Sequence, residues 1–322
     1  MPNASPAPPT RATPLFIFMN ASSGSGDAAD ARQKIQAVLS QAGQAHEFVL
    51  IERPDDVPRQ AQRAAELARE HSGAVVAAGG DGTINALAQA ALPHQLPFGI
   101  VPQGTFNYSS RAHSIPLDCE AATRALLDAK LKPIQVGLVN DRIFLVNASL
   151  GLYPKLFERR EEAKAQFGRH RTVAMLAGLR GLFEEHRQLS LEIEHDDKRE
   201  IVRTPTLFVG NNSLQLERVG LPEAQAVEQW RLAAVVVKTN KPGALLWLAL
   251  RGALGQLADA NHVRDFSFRS MTVNPWLRYG HRTIKIALDG EILRLVPPLK
   301  FSVASKPLWL LAPANVESAE RE

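Results

Sequence analysis

The run Ala74-Val75-Val76-Ala77-Ala78 passes directly into Gly79-Gly80-Asp81-Gly82-Thr83 and then into the helical pattern Ile84 to Leu92. A buried strand, a glycine-rich turn and a helix, in that order, constrain the fold more than any other part of this sequence. Such a turn lets backbone approach a ligand closely. Its N–H groups, with the positive end of the helix dipole behind them, point at an anion. Capping a strand with a plain left-handed turn needs only two glycines. Three glycines with Asp81 and Thr83 exceed that need and indicate a phosphate site. Asp81 is badly placed to face phosphate itself. It is suited to orient a magnesium-bound water or to hydrogen-bond a sugar or an acceptor hydroxyl.

The flanking sequence repeats the strand–helix alternation. Leu15 to Met19 is an apolar strand bounded by Pro14 and Asn20, and a helix follows over Ala31 to Gln41. Ile35, Val38 and Leu39 lie on one face of that helix, and Gly43 stops it. Phe48 to Ile51 is a second strand, Asp55-Asp56 opens an Ala-rich helix ending near Gly73, and Phe98 to Val101 is a fourth strand. This spacing predicts a parallel sheet covered on both faces. Two further loops then fall at carboxyl ends of strands, where open α/β sheets bind ligands. They are Asn20-Ala21-Ser22-Ser23-Gly24-Ser25-Gly26 and Gly104-Thr105-Phe106-Asn107.

After about Lys132 the texture changes to short strands, among them Ile134 to Val139, Ile143 to Asn147, Leu189 to His195 and Leu232 to Val237. Later ones include Phe266 to Val273, Thr283 to Leu288, Leu299 to Val303 and Leu308 to Leu311. Alternation such as Leu189-Ser190-Leu191-Glu192-Ile193-Glu194 marks antiparallel strands with one wet face. Helical stretches interrupt them at about Pro154 to Glu185 and Gly243 to Ala260. The expected organisation is a disordered arm over 1–13, a three-layer α/β nucleotide-binding domain over 14–133, a β-rich, sandwich-like domain over 134–313, and a flexible tail over 314–322.

Composition narrows the partners. With 37 Lys and Arg against 33 Asp and Glu, the formal charge of +4 suits an anionic substrate and is too small for a nucleic-acid binder. The single cysteine, Cys119, excludes an intrachain disulfide and sits between Asp118 and Glu120, where a low thiol pKa is not expected. No signal peptide opens the chain, and the longest apolar run, Ala244 to Leu250, is far short of the roughly 20 residues that cross a bilayer. A cytoplasmic protein is expected, compatible with peripheral contact at the inner membrane face. Arg159-Arg160 and Arg169-His170-Arg171, interleaved with Glu158, Glu161 and Glu162, read as a solvated helical face. Leu245 to Leu250, including Trp247, reads as packing onto the β-rich core.

The chain has no Walker A loop, no protein-kinase catalytic loop and no Rossmann G-x-G-x-x-G. The motifs it does have resemble the diacylglycerol kinase catalytic family, which includes sphingosine and ceramide kinases. Gly79 to Thr83 matches that family's Gly-Gly-Asp-Gly-Thr. Asn20 to Gly24 matches Asn-Pro-x-Ser-Gly except for Ala21, and Pro102 to Asn107 matches Pro-x-Gly-Thr-x-Asn, with Tyr108 where an Asp usually follows. The likeness continues through Phe144 to Gly151 and Asp289-Gly290-Glu291.

The resemblance implies an α/β nucleotide domain followed by a β-rich domain, as in NAD kinase/diacylglycerol kinase-like folds, with the active site in the cleft. It implies transfer of the γ-phosphoryl group of ATP to a lipid hydroxyl, with ATP and Mg2+ as cofactors and a diacylglycerol-like or sphingoid acceptor. Carried over, Asn20, Ser22, Ser23, Gly24, Gly79, Gly80, Asp81, Gly82, Thr83, Asn85, Gly104, Thr105 and Asn107 bind nucleotide. Glu291 accepts the hydroxyl proton, with Asp289 or Asp81 assisting. A structural magnesium site of the bacterial members begins with Pro222-Glu223-Ala224 here and would use Glu228 as its acidic ligand. Two other readings stay open: an NAD kinase-like enzyme, and a catalytically inactive lipid- or nucleotide-binding protein of the same fold.

Overall fold

A computed structural model describes residues 6, 10, 12–20, 27–104, 107–152, 188–239, 241–253, 255–256, 262–277 and 282–314. Ser22, Ser23, Gly24 and Thr105 lie outside the described residues. So do the helical stretch from Pro154 to Glu185 with its arginines, most of the expected N-terminal arm, and the tail beyond 314. The chain divides into two compact units, residues 1–136 with 304–322, and residues 137–303.

The first unit alternates strand and helix as far as β4 and then has two helices before its next strand: β1 (Leu15–Asn20), α1 (Asp27–Gln41), β2 (His46–Ile51), α2 (Val57–Glu70), β3 (Ala74–Gly79), α3 (Asp81–Ala91), β4 (Pro97–Pro102), α4 (Tyr108–Ala112), α5 (Cys119–Leu127) and β5 (Lys130–Ile134). β1, β2, β3 and β4 are parallel, in the order β2-β1-β3-β4. β3 and β4 are buried at every residue, which explains why they read as unbroken apolar runs. Right-handed crossovers put α1 on one face of the sheet and α2 and α3 on the other. Accordingly α2 packs with α3, and α1 with α5. The inner face of α2 is Ala61, Ala64, Ala65 and Ala68, and side chains this small let the helix lie close to the sheet.

The expected assignment of 134–313 to one β-rich domain differs from what is seen. The last strand, Leu308–Ala312, leaves the second unit and enters the first sheet, parallel to β4 and antiparallel to β5. Its composition gives the reason. Leu308-Trp309-Leu310-Leu311-Ala312 has no alternation, so it needs cover on both faces, and the interior of an α/β sheet supplies it. For the same reason the expected strand Ile134 to Val139 is two strands, β5 in the first sheet and β6 (Gly137–Val139) in the second unit.

The second unit continues with β7 (Arg142–Phe144), β8 (Asn147–Gly151), β9 (Leu189–His195), β10 (Lys198–Thr204), β11 (Thr206–Gly210), α6 (Ser213–Arg218), α7 (Ala224–Glu228) and β12 (Leu232–Val237). Then follow α8 (Pro242–Ala253), β13 (Val263–Phe268), β14 (Ser270–Pro275), β15 (Ile284–Leu288), β16 (Glu291–Leu295) and β17 (Leu299–Val303). They form two six-stranded antiparallel sheets, β10-β9-β14-β17-β6-β7 and β13-β12-β11-β8-β15-β16. Phe144, Leu150, Ile193, Val209, Phe268 and Phe301 belong to one buried cluster drawn from both sheets. Each such side chain contributes about 1.5–3 kcal/mol by leaving water. At one edge Thr204 Oγ1 donates to the carbonyl of Val237 at 2.7 Å, joining the sheets.

Strand registers sort the unit into two ends. One end carries Asn147, Gly210, Leu288 and Glu291, and also the pair Gly137 and Val303 where the chain enters and leaves the unit. The opposite end carries Gly151, Thr206, Val237, Val263 and Ile284 from one sheet, with Leu189, Thr204, Pro275 and Leu299 from the other.

Candidate active site

In the first unit β3 ends at Gly79, and Gly80 caps α3 in an extended conformation (φ −82°, ψ −178°) with no side-chain cap. The first amide bonded back within α3 is that of Ile84, to the Gly80 carbonyl at 3.0 Å. The amides of Asp81, Gly82 and Thr83 precede any helical acceptor and form the donor end of the helix. Asp81 and Asn85 stand four residues apart, on one face of its first turns.

The neighbouring loop closes against this turn. Gln103 N donates to the Gly79 carbonyl at 2.9 Å. A Cβ on Gly104 would lie 3.0 Å from Cα of Gly80 and 2.8 Å from Oδ1 of Asn107. The two glycine backbones thus approach as closely as only glycines can. Asn107 holds that geometry. It is buried, lies at φ 49°, accepts from Gly104 N at 3.0 Å and donates to Gly104 O at 2.8 Å. With its amide committed to Gly104, Asn107 positions the loop. Asn20 completes the row: Met19 pairs with Ala78, and Gly79 with Pro102, so the ends of β1, β3 and β4 are neighbours. In the order β2-β1-β3-β4, β1 and β3 flank the point where the chain reverses direction, the usual place for a ligand crevice.

In the second unit Asp289-Gly290 is a two-residue hairpin turn, with φ 46° and 91° and Leu288 paired to Glu291. Both central residues are left-handed, which is why Asp-Gly occupies it. The Asp289 carboxylate accepts three backbone amides, Leu145 at 2.7 Å on Oδ2 and Val146 and Asn147 at 2.9 Å each on Oδ1. These contacts turn the corner between β7 and β8, so the expected single strand Ile143 to Asn147 is broken at Leu145-Val146. Asn211 secures the corner's carbonyls, donating from Nδ2 to Phe144 O at 3.3 Å and Leu145 O at 3.1 Å. Asn212 caps α6 by accepting from Gln215 N at 2.9 Å, and Gln215 Oε1 accepts from Asn147 Nδ2 at 3.1 Å. Asn147 lies in the stretch Phe144 to Gly151 that carries the family likeness, whereas Asn211, Asn212 and Gln215 had no motif to announce them. The one available signal was the pair Asn211-Asn212 directly after an apolar strand.

Glu291 opens β16, exposed as a residue, and its carboxyl pKa is raised, first by partial burial and second by the negative charge of Asp289. Glu228, the expected metal ligand, ends α7 and is exposed. Among the described residues no three His, Cys, Asp or Glu side chains converge. Trp230, two residues beyond Glu228, is left-handed at φ 58°. Glu223 rather than Glu228 turns inward, toward Asp265. Its pKa is pushed up to about 7, first by desolvation and then by the neighbouring Asp265 carboxyl. With Glu228 exposed and no third acidic or histidine side chain converging on Glu223 and Asp265, the expected Glu228 ligand set is not assembled among the described residues.

Residues 14–139 match the sequence family described as the diacylglycerol kinase catalytic domain. That segment belongs to the diacylglycerol kinase catalytic-domain family. It covers β1 to β6 and therefore both glycine loops. Two relatives are called diacylglycerol kinase. One, from Staphylococcus epidermidis, is 26% identical over 254 residues, covering 75% of this chain and 78% of the relative. The other, from Staphylococcus saprophyticus, is 25% identical over 271 residues, covering 80% and 84%. A crystal structure of a diacylglycerol kinase from Bacillus anthracis superposes with a TM-score of 0.67 at 18% identity, covering 94% of this chain and 97% of that one. That likeness is one of fold, and it bears out the α/β unit with a strand-rich partner. Among the described residues no helix is long and apolar enough to cross a membrane.

Proposed function

We propose that the protein is a lipid kinase that transfers the γ-phosphoryl group of ATP to the hydroxyl of a diacylglycerol-like or sphingoid lipid. The observation that carries this reading is the close approach of Gly80 and Gly104 beside the donor end of α3. Two loops without side chains at the point of contact leave backbone amides as the ligand surface, which is what a chain of phosphates requires. Asn20, Gly79, Gly82, Thr83 and Asn85 border that surface, and Asn107 fixes it.

A neutral hydroxyl is a weak nucleophile, so a base must take its proton as attack proceeds. Glu291 is assigned that task because its raised pKa makes it a better acceptor than an ordinary glutamate. As the hydroxyl oxygen bonds to the γ-phosphorus, the bond from that phosphorus to the bridging oxygen breaks, ADP leaves, and the hydroxyl proton passes to Glu291. Asp289 is assigned a positioning role instead of the expected catalytic one, since three amides already occupy its oxygens. Magnesium, when bound with ATP, would neutralise developing phosphate charge. The oxygen donors of Asp81 and Asn85 fit an ion that keeps its waters and needs few protein ligands.

The test is the full-length chain with radiolabelled ATP and magnesium, offered diacylglycerol, ceramide and a sphingoid base in mixed micelles, and NAD in a separate tube. Label in an organic-soluble product supports the reading. Label in NADP instead, or ATP bound with no transfer to any acceptor, overturns it in favour of an NAD kinase-like enzyme or an inactive binder respectively.

A further inference from the structure

Strand β8 carries two buried polar side chains with hydrogen-bonding atoms that meet no partner. Ala148 and Leu150 belong to the cluster between the two sheets, so Asn147 and Ser149 point to the opposite face of their own sheet. Asn147 is 5% exposed and Ser149 1%. Asn147 donates from Nδ2 to Gln215 Oε1 at 3.1 Å. Its Oδ1, which can only accept, is buried with no donor. Ser149 Oγ is likewise buried with no partner. Bulk water does not reach either atom, and leaving such a group unpaired is costly.

The cross-strand neighbours of Ser149 are the apolar Phe208 on β11 and Ala287 on β15. Asn147 lies beside Gly210, where a Cβ would meet Leu216 of α6 at 2.8 Å, so α6 covers this face at that level. An apolar floor with one acceptor and one hydroxyl, about 7 Å apart along the strand, is how a pocket orients a ligand with few polar contacts. The backbone of Asn147 is bonded to Asp289, in the turn that presents Glu291. The polar end of a ligand held on this face therefore lies next to that turn.

The chemistry of the two atoms narrows the acceptor. The reacting hydroxyl has a single proton, and in the proposed transfer that proton goes to Glu291. Asn147 Oδ1 thus calls for another O–H or N–H on the lipid, and the Ser149 hydroxyl matches a carbonyl. We infer that the acceptor is an acylated lipid alcohol with a second hydrogen-bond donor besides its reacting hydroxyl, recognised by Asn147 Oδ1 and Ser149 Oγ. Monoacylglycerols and ceramides have both features. Diacylglycerols lack the second donor, and sphingoid bases and monoalkylglycerols lack the carbonyl. The inference rests on the lipid-kinase reading, yet recognition is measured by binding, without ATP.

The experiment measures the dissociation constant of the full-length chain, without nucleotide, for each of these lipids in detergent micelles, with phosphoryl transfer to each assayed in parallel. A monoacylglycerol, a ceramide or both should bind about tenfold more tightly than a diacylglycerol, a sphingoid base or a monoalkylglycerol. Ser149→Ala should bring the affinity ratio of monoacylglycerol to monoalkylglycerol to about one. Asn147→Leu should do the same for monoacylglycerol against diacylglycerol. Where that variant fails to fold, Ser149→Ala, which deletes one oxygen, carries the test. Diacylglycerol bound as tightly as monoacylglycerol and ceramide overturns the inference, as does a ratio that Ser149→Ala leaves unchanged, or binding of no lipid. Ordered binding without transfer upholds it and removes only the kinase reading, whereas transfer with unordered binding does the reverse.

Discussion

Asp289 and Asn147 are joined reciprocally: Asn147 N donates to Asp289 Oδ1 at 2.9 Å, and Asp289 N donates to Asn147 O at 2.9 Å. The residue two positions before the assigned base is thereby locked to the first residue of β8. Asp289 also takes the Leu145 and Val146 amides, so one side chain fixes both the turn that presents Glu291 and the corner beneath it.

Asp289→Asn should therefore fail in two ways. The NH2 group of Asn would replace one accepting oxygen and set a donor against the Leu145 amide, or against the Val146 and Asn147 amides. Hydrogen bonds to a charged acceptor are worth about 1.5–3 kcal/mol each, and one or more would be lost. Urea unfolding should show a loss of about 3 kcal/mol. Turnover should fall while ATP affinity, read by thermal shift, stays unchanged. Unaltered stability would show that the three amide contacts carry no weight.

The glycine contact gives a second expectation. Gly104→Ala places a methyl 3.0 Å from Gly80 Cα and 2.8 Å from Asn107 Oδ1, and neither neighbour is the loose end of a long side chain. The loop must move by tenths of an ångström, and a misplaced phosphate cradle costs on the order of 100-fold in kcat/KM. Asn107→Asp keeps the acceptor for Gly104 N and loses the donor to Gly104 O. Its ATP KM should rise less than that of Gly104→Ala, and equal effects would argue against a fastening role.

How far the fold could be read from residues depended on periodicity. β1, β3 and β4 are fully apolar runs cut by Asn20, Gly80 and Gly104, so the parallel sheet and its ligand edge were legible. The C-terminal strand was not, because Leu308–Ala312 is local sequence with a distant partner, and only tertiary pairing with β4 and β5 decides its unit. The candidate site divides the same way. Gly80 and Gly104 announce a close backbone approach by composition, whereas the tasks of Asp289 and Asn107 are contacts between side chain and backbone that no motif encodes. Asp289, two residues before Glu291, reads as a second catalytic carboxylate until its three amide partners are seen.

Activity should depend on pH through Glu291. Its pKa is raised in the folded protein, so the base form is lost at a higher pH than for a free glutamate, near 4.3. The acid limb of kcat/KM should lie above that value. Neutralising Asp289 removes the smaller of the two causes and should move the limb to lower pH. Glu291→Gln should reduce kcat by about 100- to 10,000-fold, the usual contribution of a general base, and leave nucleotide binding intact. A variant retaining most of its turnover would remove Glu291 from the mechanism.

Glu223 gives a stability expectation separate from catalysis. Its pKa is pushed up to about 7 in the fold from an ordinary 4.5, by desolvation first and by the neighbouring Asp265 carboxyl second. A carboxyl with a raised folded pKa binds its proton more tightly when native. Its stabilising effect is therefore full below pH 4.5 and is lost as pH rises toward 7. Glu223→Gln cannot titrate and keeps the size of the side chain. The stability of wild type relative to this variant should then decline between pH 4.5 and 7 and level off above. Urea midpoints of both proteins across that range make the measurement. A difference that is flat, or that grows with pH, would mean that the fold does not raise the pKa of Glu223.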